Sequence, residues 1–403
     1  MKIMFAVPSY WPSQDGVANI TGYLAEGLAG RGHEVLCFTS AGNGGLQELP
    51  EQERHNGVLI ERMRVYVRWP LKLKGRDEKS TRNVYLARVE SYQPDVLVVV
   101  CSQTWTLDWI KDTLDRISCP KIFYCHGYSK WSAHYAYWDK LKQHNILGIW
   151  EEYLCDRYYK KLYRYLAGFD LAIYLDKNNS AVQYAKEHHL TNGKILENAI
   201  DDVFFDEKMK HWSSPEPEEC IRFLFVANYS ENKNHKMLID AYADAQIGKS
   251  ELIFAGFEDN EYSKYLKEYT KKILSDKPDK KVIFHVHLER EEVIDLYRTS
   301  DIFTCSSKSE TWSIVAHEAA ATAMPIISTE VGIYGEMDGV MLVHTIDEMR
   351  SAMEVLYHDP VERKCRGESV YRWLCTRSCR VKDKIDWLET ELKRLTTERG
   401  NRA

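Results

Sequence analysis

Two glutamates eight residues apart, Glu310 and Glu318, carry the strongest chemical signal in the sequence. Glu310 falls in a polar loop after the apolar run Ile302–Cys305, and Glu318 falls about two turns into the helical stretch that follows. At 1.5 Å per residue, the two carboxylates can stand roughly 10–12 Å apart along that helix. The helix N-terminus lies between them, and its free N–H groups and positive dipole end suit an anion. A diphosphate on those amides, with a carboxylate on each side for hydroxyls, matches a nucleoside diphosphate sugar, ribose at one end and hexose at the other. The plainer alternative is a helix with one acidic residue near its start and one buried polar side chain. A nucleoside diphosphate leaving group also needs its charge stabilised as the glycosidic bond breaks. No metal-binding pattern is evident for that task. Asp201 and Asp202 are adjacent rather than spaced as D-x-D, and the ten cysteines include no C-x-x-C pair. Neither a metal nor a resident cofactor is expected.

The elements that must position these groups alternate between strand and helix. In the first half, Ile3–Val7, Glu34–Thr39, Val58–Val67, Asp95–Cys101, Lys121–Cys125 and Asp170–Tyr174 read as strands, and Ile20–Ala29 as a helix ending at Gly30-Arg31-Gly32. Asp95–Cys101 is nearly continuous in its apolar character, as a parallel strand buried on both faces requires. The second half repeats the pattern. Strands are expected at Arg222–Ala227, Leu252–Ala255, Lys281–His285, Ile302–Cys305 and Pro325–Ser328, with helices at Lys236–Ala245, Tyr262–Leu274, Glu289–Arg298 and Trp312–Ala323. This alternation predicts an α/β fold with two facing, Rossmann-like, doubly wound parallel sheets. Ligands of such sheets bind at the carboxyl ends of the strands. The segment 211–219, rich in proline, serine and acid, is the expected linker. The expected domains are 1–205 and 206–379, with a final helix in 380–403 that crosses back to the first domain.

The composition agrees with this architecture. A chain of 403 residues suits two domains of about 100–200 residues each. With 44% apolar and 28% charged residues it is an ordinary globular composition. A net charge of −6 gives no global attraction to nucleic acid. The first apolar run is too short for a signal peptide, and no run reaches the ~18 residues of a transmembrane helix. With its scattered cysteines the chain is expected in the cytosol.

Several motifs in succession resemble family 4 of the retaining glycosyltransferases, which have the GT-B fold. The E-x7-E element matches Glu310 and Glu318, followed by an Ala-rich helix and the strand Pro325-Ile326-Ile327. Val282-Ile283-Phe284, Glu291-Glu292-Val293, Leu296-Tyr297 and Ser300-Asp301-Ile302-Phe303 resemble the preceding strand–helix–strand unit. Phe223-Leu224-Phe225-Val226-Ala227 followed by Lys233 resembles the strand and loop whose basic residues hold the donor diphosphate. Glu197-Asn198-Ala199-Ile200-Asp201 is similar to the interdomain element. Asp15-Gly16-Val17 and the run from Leu24 to Val35 resemble the glycine loop, first helix and following turn. The resemblance implies transfer of a sugar from a nucleoside diphosphate sugar to a hydroxyl acceptor (a glycan, a lipid-linked acceptor or a small molecule), in cell-surface polysaccharide or glycoconjugate synthesis. Glu310 would hold donor-sugar hydroxyls and Glu318 the ribose. Lys233 and the amides near Ser313, Ile314 and Val315 would neutralise the diphosphate. His126, after the strand Lys121–Cys125, would lie near the donor sugar.

Four departures distinguish this chain. The paired glycines are Asp15-Gly16, so Gly16 alone offers an unhindered N–H to a phosphate. The usual Gly-Arg is Ala227-Asn228, which moves charge neutralisation onto Lys233. A glycine before the base pocket is Val286, next to His287 and Leu288. The Phe-Gly after Glu310 is Trp312-Ser313, with Trp312 expected to narrow the donor-sugar pocket.

The stretch 128–165 is aromatic and basic, with Trp131, Tyr135, Trp138, Trp150, Tyr153, Tyr159, Arg157, Lys160, Lys161 and Arg164 among its residues. It is expected either to touch a membrane surface peripherally and reach a lipid-linked acceptor, or to be a core-facing helix with a solvated face. The Gly42–Gly45 stretch lacks dinucleotide-binding spacing. Two rival functions share the fold: a nucleotide-sugar epimerase, and a sugar-nucleotide-binding protein without activity.

Overall fold

The structure is a computed structural model. It describes residues 1–13, 15–40, 49–63, 66–68, 72–74, 78–127, 141, 145–177, 180–211, 220–310 and 312–401. Gly42–Gly45, residues 212–219 of the expected linker, Trp131, Tyr135 and Trp138 lie outside these residues. The chain divides into two compact units: Met1–Ala199 with Val381–Ala403, and Ile200–Arg380. The division therefore falls at 199/200 and 380/381 rather than at 205 and 379. His211 belongs to the second unit, where its backbone N–H donates to Thr322 O and its ring bonds Tyr297 O at 2.9 Å.

In the first unit the elements run β1 (Lys2–Ala6), α1 (Gly16–Gly30), β2 (Glu34–Ser40), β3 (Gln52–His55), β4 (Val58–Met63), β5 (Tyr66–Arg68), β6 (Lys72–Lys74), α2 (Glu78–Tyr92), β7 (Val96–Val100), α3 (Trp105–Asp108), β8 (Lys121–Cys125), α4 (Ile146–Leu166), β9 (Leu171–Tyr174), α5 (Ser180–Glu187) and β10 (Gly193–Ile195). Eight strands form one sheet in the order β10-β9-β8-β7-β1-β2-β4-β3, parallel throughout except for the β3–β4 hairpin. Residues alternate between its two faces. Ile3, Phe5, Val96 and Val98 join Leu24 and Leu28 of α1 in one core. Met4, Ala6, Leu97 and Val99 join Tyr85, Tyr159 and Leu162 in the other.

The second unit runs β11 (Ile221–Val226), α6 (His235–Asp244), β12 (Ser250–Ala255), α7 (Glu261–Ile273), β13 (Lys280–His285), α8 (Arg290–Thr299), β14 (Ile302–Cys305), α9 (Ile314–Ala321), β15 (Ile326–Thr329), β16 (Met341–Val343), α10 (Ile346–His358) and α11 (Pro360–Cys375). Its six parallel strands are ordered β13-β12-β11-β14-β15-β16. The chain leaves β11 toward β12 on one side and returns to β14 on the other. The carboxyl ends of β11 and β14 therefore flank the switch point where α/β sheets bind ligands. In the first unit the corresponding pair is β1 and β7.

The last helix, α12 (Val381–Gly400), is part of the first unit. Ile385, Leu388 and Leu392 enter the same core as α1. Gly27 lets the two helices approach closely, because a Cβ there would overlap the Ile385 side chain.

Candidate donor site

The loops leaving β11 and β14 are stitched together by their own polar groups. After β11, a short turn carries Glu231–Lys233 into Asn234, whose left-handed backbone (φ 50°) starts α6. Ser306 Oγ donates to Lys233 O at 2.9 Å and Asn234 O at 3.0 Å. Lys308 N–H donates to Asn232 O at 2.7 Å, and Asn232 Nδ2 donates to Ser309 O at 2.9 Å. The result brings Lys233 Nζ to 2.5 Å from Glu310 Oε1, although the two residues are 77 apart in sequence. Ser307 Oγ donates to the same carboxylate oxygen at 2.6 Å. Both side chains of the ion pair are partly shielded, with 25% of Lys233 and 13% of Glu310 exposed.

Glu318 sits on α9 and is 3% exposed. Arg290, the first residue of α8, reaches Glu318 Oε1 with Nη2 at 2.7 Å. No motif in the sequence singles out this arginine. The only signal for it was a cation beside Glu291-Glu292, and nothing local says that it turns toward a glutamate 28 residues on. The Arg290 guanidinium also lies over the Phe204 ring, 5.1 Å from its centroid.

The remaining expected donor residues gather at the same end of the sheet. Asn228 is exposed, and its Oδ1 accepts from Phe257 N–H at 3.2 Å, which leaves its amide N–H groups directed elsewhere. His287 has a left-handed backbone (φ 54°), and its N–H donates to Phe257 O at 3.0 Å, so both loops hang on the Phe257 peptide. Leu288 beside it is half-buried. Helix α9 begins at Ile314, two residues later than the expected Trp312, because Ser313 takes a left-handed backbone that a helix cannot include. Ile314 and Val315 form its first turn, and the Ser313 side chain does not cap it. Trp312 does not stand open as a pocket wall. It is 3% exposed and stacks on His317 with centroids 3.6 Å apart.

His126 and Gly16 belong to the first unit, at the carboxyl ends of β8 and β1. Gly16 opens α1, but Asp15 caps that helix, accepting from Val17 N–H at 2.9 Å and Ala18 N–H at 3.0 Å. The chain's own carboxylate thus holds two of the amides at a terminus that otherwise suits an anion. His126 is packed against Tyr124, with its Nε2 shielded from solvent. Burial pushes its pKa down to about 4, against a small upward pull from Asp15. Its imidazole is therefore neutral near pH 7.

Among the described residues no cluster of three or more His, Cys, Asp or Glu is placed to hold a metal ion. All ten cysteines are free. None of the described helices is long and apolar enough to cross a membrane.

Residues 206–340 match the model of the glycosyl transferases group 1, and residues 14–166 match that of glycosyltransferase family 4. No curated protein matches the chain. Solved structures match its fold over nearly its full length. Sucrose-phosphate synthase from Thermosynechococcus elongatus is 14% identical with a TM-score of 0.73, covering 98% of this chain and 99% of its own. Anabaena HepE, solved with UDP and glucose, is 15% identical with a TM-score of 0.68, covering 98% and 99%. The UDP-forming α,α-trehalose-phosphate synthase of Burkholderia xenovorans, solved with glucose-6-phosphate, is 14% identical with a TM-score of 0.70, covering 97% and 100%. With glycosyltransferase models matched on both of its units, the chain belongs to the family 4-type glycosyltransferases of GT-B fold.

Proposed function

We propose that this glycosyltransferase takes a sugar from a nucleoside diphosphate sugar bound to the second unit and transfers it, with retention, to a hydroxyl acceptor bound to the first. The observation that carries this reading is the Lys233–Glu310 pair at the β11/β14 switch point, followed by a helix N-terminus that Ser313 does not cap and then Glu318. The α9 amides and Lys233 receive the diphosphate. Lys233 exchanges part of its contact with Glu310 for the leaving phosphate, and Glu310 turns to donor-sugar hydroxyls. This neutralisation needs no metal. Glu318, aimed by Arg290, takes the ribose hydroxyls.

The test is a thermal-shift screen of nucleotide sugars, then product analysis with candidate acceptors in EDTA. Expected are transfer without added metal, an unchanged anomeric configuration, and a loss on the order of a hundredfold in kcat/KM for Glu310→Ala. Undiminished transfer by Glu310→Ala overturns the assignment. A new sugar formed from donor alone reveals an epimerase, and donor binding without any product reveals a binding protein.

The acceptor is a glycan or lipid-linked sugar of cell-surface glycoconjugate synthesis, which the exposed face of α4 supports. Gly148, Glu152, Cys155, Tyr159, Leu162 and Leu166 turn inward. The opposite face presents Ile146 and Leu147, each 79% exposed, then Trp150 and Tyr153, and then Arg157, Lys160, Lys161 and Arg164. An apolar turn followed by four cations suits the surface of an anionic bilayer. Flotation with anionic vesicles is the check, and no binding at low salt removes the membrane from the reading.

A further inference from the structure

Ser313 occupies a position where a serine normally does something else. As the residue before α9 it is an N-cap, and N-cap serines use extended backbone so that Oγ accepts an N–H of the first turn. Here the backbone is left-handed (φ 78°, ψ 86°) and Oγ makes no such bond. That conformation is strained for any residue with a Cβ. Ser313 Oγ instead pairs with Tyr334 Oη at 2.9 Å. Tyr334 is fully buried on the turn Gly332–Glu336 after β15. The same turn braces Glu310: Gly332 is itself left-handed (φ 54°), and a Cβ there would stand 3.0 Å from Glu310 Cβ. Ser313 O in turn bonds His317 Nδ1 at 3.0 Å.

We infer that Tyr334 is a positioning residue for donor binding: its hydroxyl latches Ser313 in the left-handed conformation and keeps Ser313 Oγ off the α9 amides, leaving them open for the diphosphate. Without the latch, Ser313 relaxes toward an ordinary N-cap and its Oγ competes for the N–H groups the donor needs. A glycine at 313 would need no latch, because it adopts positive φ freely and has no Oγ. The inference rests on the donor site proposed above.

The experiment is a double-variant cycle read by calorimetric titration of nucleoside diphosphates, with no acceptor or turnover involved. The wild-type chain is first titrated with UDP, GDP and ADP, and the tightest binder is the probe. Tyr334→Phe should weaken that binding roughly tenfold when residue 313 is serine. The same change made on Ser313→Gly should cost less than about twofold relative to Ser313→Gly alone. Thermal midpoints of all variants report whether the fold is intact. Equal losses in both backgrounds, with intact midpoints, show that Tyr334 acts only through packing and overturn the inference, as does no loss in the serine background. Should the folded wild-type chain bind none of the three, the donor site itself falls, and this inference with it.

Discussion

Lys233, Glu310, Arg290 and Glu318 form two ion pairs of different character. In the first pair both side chains keep some contact with water, so either partner can exchange its contact for a ligand at moderate cost. Lys233→Ala is expected to raise the donor KM by roughly ten- to a hundredfold, because it removes a charge-assisted contact and leaves Glu310 to repel the diphosphate. Donor KM measured at two salt concentrations checks this, and the wild type should show the steeper salt dependence. In the second pair Glu318 is buried and Arg290 is about one-third exposed. Removing Arg290 strands a carboxylate in a poorly solvated place. Arg290→Ala is expected to lose about 2 kcal/mol of stability, discounted for that exposure, and Arg290→Lys to recover part of it. Urea unfolding measures both. His126 carries a different expectation. Its depressed pKa leaves it uncharged throughout the neutral range, so the pH–rate profile between pH 5 and 8 should contain no step that disappears in His126→Ala. That variant should lower kcat more than it raises donor KM, and a kcat equal to wild type removes His126 from the reaction.

Helices α1 and α12 show how elements far apart in sequence complete one another. The Asp15 cap holds two N-terminal amides of α1, and Asp15→Ala should cost about 1 kcal/mol. The α12 side chains fill the core face made by β1, β2, β7 and α1, where Leu392 is fully buried. Leu392→Ala should therefore cost about 3 kcal/mol, although the residue lies near the chain end. Thermal or urea unfolding tests both. Strands β8 and β14 are legible residue for residue because each is a short, mostly apolar run, four or five residues long and buried throughout, that ends at a polar residue. Helix α4 was legible as an amphipathic helix, but only packing shows that Tyr159 turns inward while Trp150 does not. Spacing alone puts the start of α9 at Trp312, but Ser313, bonded to Tyr334 21 residues later, has a left-handed backbone that delays the helix to Ile314.

Across the molecule, buried histidines make both units sensitive to acid. Burial holds His126 in the first unit at about 4. In the second unit it holds His235 at about 3, among Phe225, Tyr229 and Phe254, and lowers His211 as well. Unfolded histidine titrates near 6.5, so below that pH the unfolded chain binds protons that the folded chain refuses. Stability contributed by these neutral rings is complete above about pH 7 and is lost as pH falls toward 4 and 3. His126 alone should account for about 3 kcal/mol by pH 4. The thermal midpoint should fall over this window and fall less in His126→Gln. An unchanged acid slope in that variant would contradict the burial argument.

The sequence by itself determined the α/β alternation, the strand–loop–helix unit carrying Glu310 and Glu318, and the class of chemistry. Each depends on residue type and spacing within about thirty residues, the range over which hydrophobic period and turn chemistry act. Tertiary structure alone decided the partners. Lys233 meets Glu310 because the sheet order sets β11 beside β14. Arg290 meets Glu318 because the fold brings α8 within side-chain reach of α9, as Tyr297 Oη near Val315 O also shows. Tyr334 meets Ser313 because the turn after β15 folds back on the same loop. Those contacts follow from which strands lie side by side, and strand order is a property of the whole core.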